Sequence, residues 1–265
     1  METQKSKLLG SMKVDLFALY LVLRLLKLNS NEIRIKVSNK NFIEVVQLDN
    51  EQISLVYAKI PSKVEDQLLN SSISINLENF LIALPKLSSK NINESITLTF
   101  DKELLHLKFR EMETKLSYET LNTEFPSIDK IKLGGTCILL NLEKLKLNEF
   151  AQFSKYYSSK VLISLRQNNS SSSEIVFEVN SEELSRKVEL PVIVKKDESS
   201  KKFFIGSVLL LKVVTELKKL SNLGIRTITL YFGDDKPLLL QPNLPIFHGE
   251  LMYYLAPIVE DDEVS

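Results

Sequence analysis

The sequence predicts an α+β chain built from two similar halves, and three observations carry that expectation. Short β-branched or aromatic runs, bounded by Asn, Ser, Asp or Gly, recur along the 265 residues, as strands do. Four other segments carry the helical apolar period. The order helix, strands, helix, strand pair occurs twice. Ser95-Ile-Thr-Leu-Thr-Phe-Asp-Lys-Glu-Leu-Leu-His-Leu in the first half parallels Thr227-Ile-Thr-Leu-Tyr-Phe-Gly-Asp-Asp-Lys-Pro-Leu-Leu-Leu in the second, an internal duplication with a period of about 130 residues.

The clear strand runs are Ile33–Val37, Ile53–Ile60, Ser95–Phe100, Leu104–Phe109, Val161–Leu165, Glu174–Val179, Thr227–Phe232 and Leu251–Leu255. The predicted helices are Val14–Leu28, Leu77–Leu84 stopped by Pro85, Glu143–Tyr157, and Ser207–Leu220 with Leu209, Leu210, Val213, Leu217 and Leu220 on its apolar face. The Asn/Ser run from Asn168 to Ser173 reads as a hairpin tip, and Lys115–Lys132, with Phe125-Pro126, as a connection between the halves. The expected organisation is an N-terminal domain over 1–120, a linker over 121–133, and a C-terminal domain over 134–265 that ends in an acidic tail.

Composition removes several function classes. There are only 7 glycines, where average usage would give roughly 18. None forms a G-x-G-x-x-G or G-x-x-x-x-G-K loop, so dinucleotide- and phosphate-loop folds are poor candidates. One cysteine, Cys137, and two histidines, His106 and His248, allow neither an internal disulfide nor a Cys/His zinc cluster. Cys137, within Gly-Gly-Thr-Cys-Ile-Leu-Leu, reads as a small buried hydrophobe. The apolar run from Val14 is broken by Asp15, Arg24 and Lys27 and precedes no small-residue cleavage site. It therefore reads as a helix of a soluble protein rather than a signal peptide or a membrane span, and the expected location is intracellular, in a prokaryotic cytoplasm or a eukaryotic nucleus. No acid–base or metal constellation is visible, which places an enzyme last. No cofactor and no metal are expected.

Basic and acidic residues balance at 34 each, but bulk neutrality does not show how charge is sorted by face. On the first helix Lys13, Tyr20, Arg24 and Lys27 fall on one side. On the third, Lys144, Asn148 and Lys155 align. The fourth carries Lys212, Lys218 and Lys219 off its apolar face, and Lys86 and Lys90 follow the second. A solvated face explains any one of these; four basic-leaning faces in a duplicated fold point to a shared polyanion surface. Lysine greatly outnumbers arginine, and an ammonium suits phosphates without reading base edges.

Three stretches in order carry a family resemblance. Tyr253-Tyr254-Leu255-Ala256-Pro257, followed by Glu260-Asp261-Asp262-Glu263, resembles the end of the PCNA-type DNA sliding clamps. Phe232-Gly233-Asp234-Asp235-Lys236-Pro237-Leu238 looks like the family's segment just upstream, and Asp49-Asn50-Glu51-Gln52-Ile53-Ser54-Leu55-Val56 like its first-domain segment. The resemblance implies a duplicated clamp fold. Each domain would have outer β-sheets and two inner helices, and three subunits would close into a pseudo-sixfold ring around duplex DNA. It implies subunits joined by edge strands, here His106–Tyr118 and Glu174–Asn180. It also implies a partner-binding groove at Leu48, Gln52, Ile53, Leu121, Ile128, Pro237, Tyr254, Leu255, Ala256 and Pro257.

The DNA-facing set would be Lys13, Arg24, Lys27, Lys86, Lys90, Lys144, Lys155, Lys212, Lys218 and Lys219. The implied partners are double-stranded DNA, a clamp loader, and polymerases, nucleases and ligases bearing short peptide motifs, with the clamp a homotrimer or heterotrimer and no membrane involved. The chain departs from the family at Asn41 or Phe42, where glycine is usual, and at Ile258, where a base is usual. Tyr20, Leu21, Ile82 and Gln152 stand where inner helices are commonly basic. The function expected is a processivity clamp. The alternatives are a checkpoint-type clamp subunit and a β-rich interaction scaffold that does not encircle DNA.

Overall fold

A computed structural model describes residues 9–28, 30–49, 51–88, 90–102, 104–121, 125–126, 128, 131–145, 160–168, 172–180, 185–197, 203–207, 209–233, 236–244 and 249–257. The chain forms two compact units. One comprises Met1–Asn50, Val56–Ile128 and Pro245–Leu251; the other comprises Glu51–Leu55, Asp129–Leu244 and Met252–Ser265.

In the first unit, β1 (Leu9–Asp15), β4 (Ser54–Val64, from Val56 onward), β6 (Ser95–Asp101), β7 (Leu104–Phe109) and β8 (Met112–Ser117) pair antiparallel in the order β4-β1-β6-β7-β8. A second antiparallel set runs β3-β2-β5-β9, from β2 (Glu32–Lys36), β3 (Phe42–Leu48), β5 (Ser72–Asn76) and β9 (Glu119–Thr120). The Ser62 and Val64 N–H groups donate to the Asn41 and Lys40 carbonyls, which joins the chain entering β3 to the end of β4.

The second unit contains β10 (Thr136–Asn141), β11 (Lys160–Asn168), β12 (Ser172–Asn180), β13 (Ser185–Asp197), β14 (Phe203–Ser207), β15 (Thr227–Phe232), β16 (Leu238–Pro242) and the end of β17 (Glu250–Leu255). Its order is β14-β11-β12-β13-β10-β15-β16-β17. Strand for strand this repeats β5-β2-β3-β4-β1-β6-β7-β8. The register repeats as well. Val14 lies opposite Ser62 and Ile96 as Leu140 lies opposite Val192 and Ile228, so Ile60-Pro61-Ser62-Lys63-Val64 corresponds to Leu190-Pro191-Val192-Ile193-Val194.

Helix α1 spans Leu16–Leu26, shorter than the predicted Val14–Leu28. Asp15 ends β1 and turns the chain: its Oδ1 accepts the Ala18 N–H at 2.8 Å, as an N-cap. Met12 and Val14 are buried on alternate positions of a strand, and their apolar character merges in sequence with that of the helix. Helix α2 covers Leu77–Ala83, with Asn76 capping the Asn79 N–H at 2.9 Å. It stops one residue before the predicted Leu84, which is extended (ψ 146°) because it precedes Pro85. Helix α3 spans Leu209–Lys219; Ser207, predicted to open it, closes β14 opposite Lys160. The predicted helix Glu143–Tyr157 begins instead with a 3-10 turn at Leu142–Lys144, after which Leu145 is extended (ψ 123°), and residues 146–157 lie outside the described residues.

The hairpin expected around Asn168–Ser173 is present in its strands, which pair Asn168 with Ser172. Cys137 is buried, as expected. Gly134 shows why one of the few glycines sits where it does: a Cβ there would lie 2.2 Å from the Phe232 carbonyl carbon. The first unit's core gathers Met12, Leu16, Leu19, Leu23, Phe80 and Phe100, and the second's gathers Phe177, Phe232 and Tyr253, all under 3% exposed.

The pairing corrects one expected edge. Strand β12 is flanked on both sides, by β11 and β13, so Glu174–Asn180 is interior. The Ser185–Pro191 half of β13 pairs only with β12 among the described residues; from Val192 onward β13 also pairs with β10. Strand β8, within the other expected edge, pairs only with β7 among the described residues.

Candidate functional site

Helix α1 is apolar almost all round, and nine of its eleven residues are buried, so little of it is left to meet a ligand. The half-buried Tyr20 and Arg24, with exposed Lys27 just past its end, form its only outward stripe at i, i+4 and i+7. Arg24 occupies the last turn, where a cation complements the helix dipole. Lys13 does not share this stripe. It projects from β1, with buried Met12 and Val14 on either side, and lies opposite Lys63 and Thr97 on the solvent face of the sheet. The helical spacing that grouped it with Arg24 fails because the helix starts after Asp15.

Helix α2 offers no base. Its outward residues are Glu78, Asn79 and Ile82, the last 77% exposed; Lys86 and Lys90 are exposed in the segment that follows. Leu21, one of the departures noted in the sequence, is a core residue at 1% exposure.

Helix α3 is amphipathic. Leu210, Val213, Val214 and Leu217 are fully buried, while Lys212 and Lys219 are exposed and Lys218 half-buried. Lys219 Nζ pairs at 3.2 Å with Glu216, itself buried, and Lys218 Nζ donates to the Glu143 carbonyl at 3.4 Å. Lys212 has no ion pair among the described residues. Lys144 is exposed at the end of the 3-10 turn, and Lys155, Asn148 and Gln152 lie outside the described residues.

The C-terminal stretch closes the second unit. Tyr253, Tyr254 and Leu255 pair with Leu240, Leu239 and Leu238, and beyond them the Ala256 N–H donates to the Ile53 carbonyl at 2.9 Å. The structure thus brings Ile53 to Ala256 within one unit, and the chemistry is a backbone bond between two segments far apart in sequence. Ile53, Ala256, Pro257 and Pro237 are half-buried. Gln52 is exposed and adopts a left-handed backbone (φ 57°) that turns the chain into β4.

Leu255 corrects the sequence reading. It is fully buried, so it holds the strand end in the core, whereas the sequence reading placed it at a groove surface. Tyr254 is 7% exposed, with its hydroxyl donating to Met252 Sδ at 3.0 Å. Leu48, Leu121 and Ile128 belong to the first unit; Leu48 is 36% exposed, and Leu121 is fixed by its N–H to the Ser72 carbonyl at 2.8 Å.

Sequence reasoning missed the open half of β13, although Pro191 within its run was a signal, since proline inside a sheet is confined to edges and bulges. Among the described residues, no group of three or more His, Cys, Asp or Glu is placed to hold a metal ion, and no helix is long and apolar enough to cross a membrane.

Comparison with solved structures gives the same architecture over nearly the whole chain. Proliferating Cellular Nuclear Antigen from Entamoeba histolytica matches with a TM-score of 0.71 at 18% identity, over 94% of this chain and 99% of that one. The chain has the PCNA clamp fold. PCNA of A. fulgidus, solved with the C-terminal region of FEN-1, matches at 0.68 and 17% identity over 96% of this chain and 100% of that one. The PCNA2-PCNA3 complex from Sulfolobus tokodaii matches at 0.70 and 16%, over 94% and 100%. No family model matches the chain, and no curated protein does.

Proposed function

We propose that this chain is a subunit of a DNA sliding clamp, a tether that holds polymerase and repair factors on duplex DNA. The observation that carries this reading is the PCNA clamp fold along 94% of the chain, combined with a cationic outward face on the described helices α1 and α3. The domains are 1–120 and 134–265, joined by a linker over 121–133.

Arg24 and Lys27 of the first domain, and Lys144, Lys212, Lys218 and Lys219 of the second, contact phosphates without reading bases. Lys86, Lys90 and Lys155 extend that set. Partner peptides with apolar anchors engage Gln52, Ile53, Pro237, Tyr254, Ala256 and Pro257 of the second unit, as apolar surfaces with polar rims accept short peptides. The A. fulgidus neighbour was solved with a FEN-1 segment and the Sulfolobus neighbour as a complex of two different clamp chains; both kinds of association are proposed here. Copies or related subunits join through the open edges of β8 and of β13 at Ser185–Pro191.

One observation favours a second reading. The outward face of α2 carries Glu78 and Ile82 in place of bases, which suits a heterotrimer subunit, a checkpoint-type clamp, or a scaffold that does not encircle DNA. Primer extension on a circular template, with a clamp loader, tests the tether. The clamp reading predicts longer products per polymerase binding event when the chain is added, and products of unchanged length would overturn it.

A further inference from the structure

The solvent face of the first unit's sheet holds a feature that its sister unit lacks. Lys13 and Lys63 stand directly opposite one another across β1 and β4, an arrangement in which like charges destabilise the pair. Neither has an ion pair among the described residues. Of the nearby carboxylates, Glu65 and Asp66 are engaged elsewhere, while Asp15 caps α1 and also borders the cavity that the lysines line. Glu65 accepts from the Ser11 N–H and Oγ at 2.7 Å each, and Asp66 pairs with Lys40.

The two lysines line a surface cavity of about 300 Å³ together with Asp15, Asn41, Pro61, Ser62 and Ser95. Ser62, 9% exposed and paired with buried Val14, alternates with Lys63 on β4 and turns its side chain to the opposite face of the sheet.

The duplication supplies an internal control. The equivalents of Lys13, Ser62 and Lys63 are Leu139, Val192 and Ile193, and Ile193 is 63% exposed. The fold therefore forms this pair of positions without any charge, and nothing in the strand pairing calls for two lysines. Pro61 and Pro191 keep the same place in both units.

We propose that this cavity binds a phosphate-type dianion, free or as a phosphomonoester. The anion bridges the Lys13 and Lys63 ammoniums and takes further donors from Ser95 and Asn41. Charge-assisted bonds from two cations to one dianion are short and strong, and they convert the like-charge repulsion into a bidentate clamp. The site uses sheet residues, not the helix cations, so it stands or falls separately from the DNA-facing role of α1 and α3.

Titration calorimetry of the full chain with inorganic phosphate and with O-phosphoserine tests the proposal. Wild type is expected to bind at least one of them saturably. K13L/K63I, which installs the sister unit's residues, is expected to bind at least tenfold more weakly, while K36L/K132L, with the same loss of charge, is unchanged. K13Q/K63Q gives the same loss should the apolar pair fail to fold. Tighter binding of O-phosphoserine assigns the remaining volume to an esterified group, and tighter binding of phosphate assigns the site to the free ion. Absence of saturable binding to wild type, or equal weakening in K36L/K132L, would overturn the site.

Discussion

Removing two helix cations, one from each unit, probes the DNA-facing surface without disturbing the core. Lys27 and Lys212 are exposed and have no ion pair among the described residues. Their truncation to alanine therefore strands no buried partner. Lys219 is a poorer choice, because its ammonium pairs with Glu216, which is only 5% exposed, and a buried acid left without its cation is destabilising. Each phosphate that a cation ceases to neutralise lowers the slope of log affinity against log salt by about 0.9. A subunit in which both helices sit on phosphates should lose about 2 in K27A/K212A. Fluorescence anisotropy with a short duplex, over a series of salt concentrations, measures that slope. K36A/K132A is the matched control: it removes the same two charges from exposed positions outside the helices, and the slope should hold. An unchanged slope in K27A/K212A would refute the helix assignment, as would an equal fall in K36A/K132A.

Two further outcomes follow from the geometry. Leu255→Ala should cost about 2–5 kcal/mol of stability in chemical denaturation, because the side chain is fully buried; Ala256→Arg should stay within about 0.5 kcal/mol of wild type yet weaken capture of an apolar-anchored peptide. A Leu255→Ala protein as stable as wild type would show that the strand end is not core. Hydrogen bonds from the Ser11 Oγ and N–H hold the Glu65 carboxyl below its ordinary 4.5. A depressed carboxylate contributes stability that is complete above its unfolded pKa and is lost as pH falls through the folded value. Glu65→Gln should therefore flatten that acid limb of the melting curve, and an identical limb in both proteins would contradict the linkage.

Much of the second half of each repeat was legible in the sequence. The runs Ser95–Phe100 and Thr227–Phe232 alternate cleanly, end at turn residues, and became β6 and β15 at matching registers. Other elements were hidden for physical reasons. Strand β1 runs into an apolar helix, and only the Asp15 cap separates period two from period 3.6. Strand β13 carries Pro191 and alternates charged with apolar residues, so it reads as broken although it extends over Ser185–Asp197.

The functional residues divide in the same way. The stripe of Tyr20, Arg24 and Lys27 could be counted from helical spacing because those residues lie within or beside one helix. Lys13 was misplaced because parity, not spacing, decides the face of a strand residue. The fully buried state of Leu255 and the interior position of β12 depend on which strands lie alongside, a tertiary fact that no local pattern encodes. The pairing of Lys13 with Lys63 was invisible for the same reason, since fifty residues separate two side chains that the sheet sets opposite each other.

Encirclement is the central claim, and topology tests it most directly. The chain, with any partner subunits it requires, is loaded onto nicked circular DNA by a clamp loader, and half of the sample is then linearised. Gel filtration reads how much protein stays with each DNA. A ring is retained on the circle and slides off the free ends of the linear form. Equal retention on both would contradict a clamp that works by enclosing its DNA.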